Sequence, residues 1–136
     1  MSADQTEAFV ERFRRAWEAR EPAQFAALMH PDAVVRQPPV RDAFAGHQID
    51  EYFTQILGAL PDLTLKPLEW AARGDIVMIE WEITATVGDG PLSWRGVDRF
   101  HLRDGLADDE AVYFDSLRVW ERLDPDMQRP DIVVLT

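Results

Sequence analysis

The sequence WRGVDRFHLRDG at positions 94–105, followed by YFD at 113–115, is the most informative stretch of the chain. Apolar residues at positions 92, 94, 100 and 102 alternate with polar neighbours, which is typical of a half-buried β-strand. Asp104 and Gly105 then mark a tight turn, because an Asp-Gly pair readily adopts the positive φ angles that hairpin turns need. We therefore predict a β-hairpin here, with its second strand over positions 110–120.

Two further strands are predicted immediately before this hairpin, over positions 63–72 and 76–87. In the second of them polar residues, including Glu80 and Glu82, alternate with apolar ones. Such alternation indicates an antiparallel strand with one buried and one polar face. The polar face is either solvated or lines a pocket, and in the second case Glu82 is an additional acid.

The first half of the chain carries three helical patterns. Apolar residues recur at helical spacing over positions 6–20, with Thr6 as the predicted N-cap. A second, shorter helix begins near Pro22 and ends at the sequence HPD over 30–32, because proline disfavours helix in the residue before it. A third helix is predicted over 49–60.

Helices first and hairpin-connected strands afterwards predict a segregated α+β domain. A short strand is expected at 33–36, and the proline-rich segment 37–40 is expected to be a loop or a sheet edge. One domain is expected over 1–136, since the length suits a single core. Its tail, 123–136, is either flexible or docks on the sheet or on a second subunit.

Composition excludes several classes of function. The net charge of −11 argues against nucleic acid and anionic membranes as partners, because both bind clustered Lys and Arg. The chain has no cysteine, so disulfides and thiolate chemistry are excluded, and no His or carboxylate spacing of a metal site occurs. The polar, acidic first residues do not resemble a signal peptide, so a cytoplasmic location is expected. His30 and His47 stand beside Pro and Gly, and are expected to be structural or exposed.

With these elements in place, positions 94–105 and 113–115 resemble the last hairpin of SnoaL-like proteins in the nuclear transport factor 2-like superfamily. The resemblance extends over nearly the whole chain, because the order and lengths of the earlier elements agree. It implies helices packed on a strongly curved antiparallel sheet, with a cone-shaped pocket between them. It also implies homodimers formed through the outer face of the sheet.

The resemblance also suggests catalytic residues. SnoaL-like polyketide cyclases use an aspartate at the end of the last strand and a histidine on the preceding strand, which correspond to Asp115 and His101. Ketosteroid isomerases use a protonated aspartate in the sheet, which corresponds to Asp98. The remaining isomerase positions are occupied by Gln37 and Phe13, so that mechanism is disfavoured. Limonene epoxide hydrolases are disfavoured too, because their positions hold Glu80, Glu82 and Val112.

Asp98 is the residue on which the predicted chemistry depends. A carboxyl among apolar strand neighbours is costly to ionise, so it would stay protonated and donate a hydrogen bond to an enolate oxygen. The alternative is a structural ion pair with Arg95, Arg99 or Arg118. Strand alternation prevents Asp98 and His101 from facing the same side without a bulge, and we favour Asp98 inside. For Asp115, the alternative is a cap on the following turn.

Two functional hypotheses follow. The first is a cofactor-independent enzyme that performs acid/base chemistry, cyclisation or isomerisation, on an apolar carbonyl-bearing substrate. The second is a non-catalytic small-ligand-binding or dimerisation module of the same fold. In both cases the pocket walls are expected to be mainly aromatic. The predicted wall residues are Phe13, Trp17, Phe53, Trp94, Tyr113 and Phe114.

A homodimer is also predicted from the strand pattern itself. We expect Trp81 and Ile83 to face away from the helices, and apolar residues on an uncovered sheet face need a partner.

Overall fold

A computed structural model describes residues 2–37 and 41–127, without the side chains of 41 and 42. Four α-helices and six β-strands occur in this part of the chain, together with one 3₁₀ turn, Gly46–Gln48. In chain order they are α1 (Ala3–Ala19), α2 (Pro22–Ala26), β1 (Met29–Gln37), β2 (Arg41–Ala45), α3 (Ile49–Ala59), β3 (Thr64–Arg73), β4 (Ile76–Val87), β5 (Gly90–Arg103), β6 (Leu106–Phe114) and α4 (Leu117–Leu123).

The six strands form one curved, open sheet in the order β2-β1-β6-β5-β4-β3. All neighbours are antiparallel except β1 and β6, which run parallel. The predicted α+β class is therefore confirmed. The predicted meander is confirmed for β3 to β6, and the sheet continues beyond β6 because β1 pairs with β6 and β2 pairs with β1.

The two faces of the sheet differ in polarity. On β4 the buried residues Val77, Ile79, Trp81 and Ile83 point towards the helices, and we call this side the inner face. Met78, Glu80, Glu82 and Thr84 point to the opposite, outer face. The prediction that Trp81 and Ile83 face outwards is therefore wrong, and so is the alternative that the polar face lines a pocket.

Helix α1 packs its apolar stripe against the inner face. Phe9 and Phe13 both meet Phe100 of β5 edge to face, with ring centroids 4.9 and 5.8 Å apart. Edge-to-face contacts of this kind add to the free energy of apolar burial. The ring of Trp17 meets that of Phe25 in α2 edge to face, with centroids 4.8 Å apart. The Phe25 ring in turn stacks on that of Phe53 in α3, with centroids 3.7 Å apart. The aromatic side chains thus connect the three helices with the sheet.

Several local predictions need correction. The N-cap of α1 is Ser2, whose hydroxyl accepts a hydrogen bond from the Gln5 amide at 3.2 Å, while Thr6 is buried within the helix. The sequence HPD at 30–32 lies in β1 rather than in a helix-ending turn. The predicted last strand over 110–120 stops at Phe114, because Asp115 accepts a hydrogen bond from the Leu117 amide and α4 begins there.

Some expectations concern residues outside the described ranges. Positions 38–40 of the predicted loop or sheet edge are among them, whereas Gln37 is the last residue of β1. Positions 128–136 of the tail also lie outside, so docking or flexibility of the tail stays a prediction. None of the described helices is long and apolar enough to cross a membrane.

Candidate functional site

A cavity of about 160 Å³ lies between the inner face of the sheet and helices α1, α2 and α3. Its walls are mainly aromatic and aliphatic, which is the usual character of a small-molecule site. Tyr113 does not belong to it, because this side chain is 61% exposed on the outer face. The other predicted wall residues do line the cavity: Phe13, Trp17, Phe53, Trp94 and Phe114.

Two carboxyl side chains enter this apolar cavity, Asp98 from β5 and Glu110 from β6. Both are buried, with 6% and 8% of their surfaces exposed. Asp98 pairs with Val112 across the two strands, and Phe100 pairs with Glu110. The two acids are therefore diagonal neighbours on the inner face, close enough to interact directly.

Burial changes the protonation of both groups. Loss of solvent raises the pKa of Asp98 from 3.8 to about 7, although hydrogen bonding to Trp81 and Glu110 opposes the rise. Burial also raises the pKa of Glu110 well above its ordinary value, and the charge and hydrogen bond of Asp98 raise it further. Two like charges in an apolar site cannot both be accommodated easily. The pair therefore holds at least one proton at neutral pH.

Tyr52 of α3 adds a third polar group to the cavity lining. Burial raises the pKa of its phenol, and the charges of Glu110 and Asp98 raise it further. The hydroxyl is therefore always protonated at physiological pH. The Tyr52 ring stacks on Phe44 and meets Phe53 edge to face, with ring centroids 5.0 and 5.2 Å apart.

The structure excludes an arginine ion pair for Asp98, because the three predicted arginines bind elsewhere. Arg95 pairs with Glu82 at 3.2 Å, and Arg99 pairs with Asp109 at 2.9 Å. Arg118 donates to the Ser93 carbonyl at 2.8 Å. Within the described residues Asp98 thus has no compensating cation, and burial raises its pKa unopposed by a positive charge.

Asp115 lies outside the cavity and is exposed. Its Oδ1 accepts a hydrogen bond from the Leu117 amide at 3.0 Å, two residues further on. The alternative of a turn cap is therefore the one that the structure supports, and we do not assign Asp115 a catalytic role.

His101 and Glu82 also lie away from the cavity. His101 alternates with the buried Phe100 and Leu102 and so faces the outer side, as strand parity predicted. Glu82 lies on the outer face in its ion pair with Arg95. Of the four residues predicted to be catalytic, only Asp98 lies in the cavity.

Glu110 is the acid that the sequence analysis missed, and a single bulge explains why. The turn at Asp104 and Gly105 would pair Phe100 with Asp109 in a regular hairpin. The register shifts by one residue between His101 and Leu102, because Asp108 is an extra residue on β6. The shift turns Asp109 outwards and Glu110 inwards. The available signal was the parity of Glu110 with the apolar Val112.

The charges around the cavity restrict what it can bind. Among the described residues that line it, none is Lys, Arg or His, so these residues offer no positively charged side chain to bind an acidic ligand. No group of three or more His, Asp or Glu side chains that could hold a metal ion occurs within residues 2–37 and 41–127. The polar groups of the described lining are two carboxyls, the Tyr52 phenol, the Gln37 amide and the N–H groups of the tryptophan rings, and the rest of the lining is apolar.

Comparisons with known proteins agree with this architecture. A family model for the SnoaL-like domain matches residues 10–109. Among solved structures, TerC co-crystallised with polyporic acid superposes with a TM-score of 0.78 at 20% identity, covering 88% of this chain and 98% of that one. A nuclear transport factor 2-like protein of unknown function from Burkholderia pseudomallei gives a TM-score of 0.79 at 17% identity, covering 91% and 99%.

A third solved structure, described as a candidate SnoaL-like polyketide cyclase from Jannaschia, has a TM-score of 0.77 at 16% identity, covering 90% of this chain and 94% of that one. No curated protein sequence matches the chain significantly. At these identities the solved structures establish the fold, while the function has to be argued from the cavity itself.

Proposed function

Because the chain belongs to the SnoaL-like domain family, we propose that its cavity is the active site of a cofactor-independent enzyme. The proposed reaction is acid/base chemistry, a cyclisation or isomerisation, on an apolar carbonyl-bearing substrate. The observation that carries the proposal is the buried pair Asp98 and Glu110 in an otherwise apolar chamber. Pairs of titratable groups whose environments separate their protonation are typical of general acid/base sites.

The two carboxyls have different roles in this proposal. With a pKa of about 7, Asp98 is partly ionised at neutral pH and can take a proton from the carbon next to a carbonyl. Glu110 keeps its proton and donates a hydrogen bond to the carbonyl oxygen as negative charge develops there. This assignment revises the sequence-based prediction, in which Asp98 was the donor.

The reaction is balanced without a cofactor. The C–H bond breaks, Asp98 gains the proton, and the electron pair passes to the carbonyl oxygen to give an enol or enolate. Return of the proton to a different carbon completes an isomerisation. Attack of the enolate carbon on a second carbonyl of the same molecule forms a ring, and Glu110 gives its proton to the new alkoxide. The proton on Asp98 then passes to Glu110, which restores both groups.

The apolar walls support this chemistry because they exclude water. Phe13, Trp17 and Phe53 line the same cavity as the carboxyl pair, and their surfaces cannot solvate charge. Electrostatic interactions between Asp98, Glu110 and a substrate oxygen are therefore stronger than they would be in water.

Exchange of α-protons tests the proposal without knowledge of the natural substrate. Small ketones are incubated with the protein in D₂O, and loss of the α-proton signal is followed by NMR. We expect catalysed exchange by the wild type and a loss of about 10²-fold or more in Asp98→Asn, since general base catalysis contributes about that much. Glu110→Gln should slow exchange less, because the amide can still donate a hydrogen bond.

The matched control is Glu69→Gln, which removes an exposed carboxylate from β3 and leaves the cavity unchanged. It should exchange like the wild type. If Asp98→Asn also does so, the cavity has no catalytic carboxyl, and the non-catalytic ligand-binding module becomes the better description.

We further propose that the protein is a homodimer through the outer face of the sheet. Support comes from Met78 and Tyr113, large side chains that are 49% and 61% exposed there. Clustered exposed apolar residues are typical of interaction surfaces.

A further inference from the structure

The carboxyl pair in the cavity has no basic partner within the described part of the chain. Asp98 and Glu110 are 6% and 8% exposed, and both side chains enter the cavity. The described lining contains no Lys, Arg or His side chain. Because a buried charge is costly unless it is paired, a cation in the cavity and the ionised pair would stabilise each other.

The surroundings of the pair do not supply the missing positive charge. Tyr52 of α3 is the third titratable group of the described lining, and its phenol is uncharged at physiological pH. Arg99 and Asp109 pair with each other at 2.9 Å on the outer face. They act on Glu110 in opposite directions, because Arg99 favours its ionised form and Asp109 disfavours it. The ionised pair therefore remains available to a positively charged ligand.

The aromatic walls favour the same kind of ligand. Trp17, Trp94, Tyr52 and Phe53 all line the cavity. The faces of aromatic rings attract cations, indole most strongly, and the attraction is larger where water is excluded. An alkylated ammonium group suits such walls better than a metal ion, because its methyl groups contact the rings directly whereas a metal ion needs several oxygen ligands.

We propose that the cavity binds a small organic cation, an alkylated ammonium compound, as the counter-ion of Asp98 and Glu110. This inference rests on the proposed function only in taking the cavity as the ligand site, and it does not require catalysis. Volume limits the size of the cation. The cavity of about 160 Å³ is close to the roughly 150 Å³ of an apolar protein cavity that accepts one benzene molecule. A trimethylammonium group with a short substituent fits this space.

Binding of such a cation should depend on pH, because the cation pairs with the ionised carboxyls. Burial raises the pKa of Asp98 to about 7 and raises that of Glu110 well above its ordinary value. In mildly acidic solution the pair is therefore mostly uncharged, and the cation has to displace a proton in order to bind. Affinity should increase as pH rises through about 7.

Two isosteric probes test the inference. Choline and 3,3-dimethyl-1-butanol have the same heavy-atom skeleton, but choline has a charged nitrogen where the alcohol has a carbon. The nitrogen is quaternary, so its charge does not change with pH and any pH dependence belongs to the protein. Titration calorimetry at pH 5.5, 6.5 and 8, in buffers of different ionisation enthalpy, measures both affinity and proton release.

We expect choline to bind at least about tenfold more tightly than the alcohol at pH 8. Between pH 8 and pH 5.5 the affinity for choline should fall at least about tenfold, while that for the alcohol stays within about twofold. Binding of choline at pH 6.5 should release a proton, and binding of the alcohol should not.

Two variants complete the test. Asp98→Asn combined with Glu110→Gln removes both carboxyls and should abolish the preference for choline together with its pH dependence. Glu69→Gln removes an exposed carboxylate from β3 and should bind both probes like the wild type. It controls for general attraction of a cation to the net charge of −11. The wild-type comparison of the two probes supports or contradicts the inference even if the double variant fails to fold.

Several results would overturn the inference: equal affinity for the two probes at pH 8, choline affinity that does not change with pH, or an unchanged preference in the folded double variant. Exchange of α-protons in small ketones is recorded with and without choline, and exchange that saturating choline does not inhibit would also overturn it. Choline binding as expected without any exchange would leave the inference standing and contradict the proposed catalysis. Exchange that depends on Asp98, in a protein that does not prefer choline, would do the reverse.

Discussion

Burial of Asp98 and Glu110 gives folding a pH dependence opposite to that of an ion-paired surface carboxylate. A carboxyl whose pKa is higher in the folded state binds its proton more tightly there than in the unfolded chain. Its favourable contribution is complete below the unfolded pKa near 4 and is lost as pH rises through the folded value, about 7 for Asp98. Ionising this pair therefore opposes folding at alkaline pH.

We predict that Asp98→Asn raises the free energy of unfolding more at pH 8 than at pH 5.5, by about 2 kcal/mol. The reason is that the amide cannot ionise, so the variant escapes the cost that the wild type meets between those pH values. Urea denaturation at the two pH values measures the difference. Glu69→Gln, an exposed site on β3, controls for net charge and should show no such gain. An equal effect of Asp98→Asn at both pH values would contradict the raised pKa.

At the scale of single residues, the sequence predicted position better than role. Alternation placed Asp98 inside and His101 outside, because these depend only on strand parity. Glu110 was missed because its orientation depends on the extra residue Asp108 in β6, and a bulge of this kind has no local signature in the acidic run at 108–110. The division of protons between the two acids could not be predicted at all without knowing that they are neighbours.

At the scale of elements, α4 is the part of the cavity wall with the least support from the core. It is a helix of seven residues, and none of them is fully buried. Val119 contributes to the cavity lining, while Arg122 attaches the helix to the β4–β5 hairpin. The guanidinium donates to the carbonyls of Gly90 at 2.9 Å and Pro91 at 3.1 Å.

We predict that Arg122→Ala destabilises α4 by about 1–2 kcal/mol, because charged hydrogen bonds to backbone carbonyls are lost. Hydrogen exchange at the amides of Val119 and Trp120 should accelerate about tenfold or more, while amides of β4 stay protected. Arg118→Ala removes a single bond, to the Ser93 carbonyl, and should have a smaller effect. Equal protection of α4 in wild type and Arg122→Ala would show that the arginine does not hold the helix.

The same helix marks the limit of sequence-based prediction for the elements. Strands β3, β4 and β5 and helices α1 and α3 were predicted because each has a long, regular apolar pattern. The segment 115–123 has too few buried residues for such a pattern. Its course is decided by Asp115, which caps the turn through the Leu117 amide, and by Arg122, which binds the Gly90 carbonyl in another part of the chain. Strand β2 was missed for the same reason, since its pairing with β1 is a long-range property.

At the scale of the whole molecule, the outer face of the sheet is the side that the described helices leave uncovered. The original argument for a dimer, based on Trp81 and Ile83, fails because both side chains are buried on the inner face. A different set of side chains now supports it. Val34, Met78 and Tyr113 are 38%, 49% and 61% exposed, and strand parity places all three on the outer face.

The charges on this face suit contact with a second copy of itself. Glu82 pairs with Arg95, and Asp109 pairs with Arg99, so both signs are present within the same patch. In a two-fold dimer one patch meets its own copy, which requires a self-complementary surface. A patch of a single sign would repel its copy, whereas alternating pairs can exchange partners across the axis.

We therefore predict a homodimer at micromolar concentration. Tyr113→Asp should raise the dissociation constant of this dimer at least about tenfold. The substitution places a charge in the centre of the outer face, and buried unpaired charges are costly at an interface. Light scattering and sedimentation measure the mass. Leu123→Asp, at a residue 54% exposed on α4, is the control and should leave the dimer intact. Tyr113 lies outside the cavity, so the dissociated variant should still catalyse α-proton exchange of small ketones if each subunit has a complete site. A wild-type monomer at these concentrations would contradict the assignment of this face, and loss of this exchange on dissociation would show that the second subunit shapes the cavity.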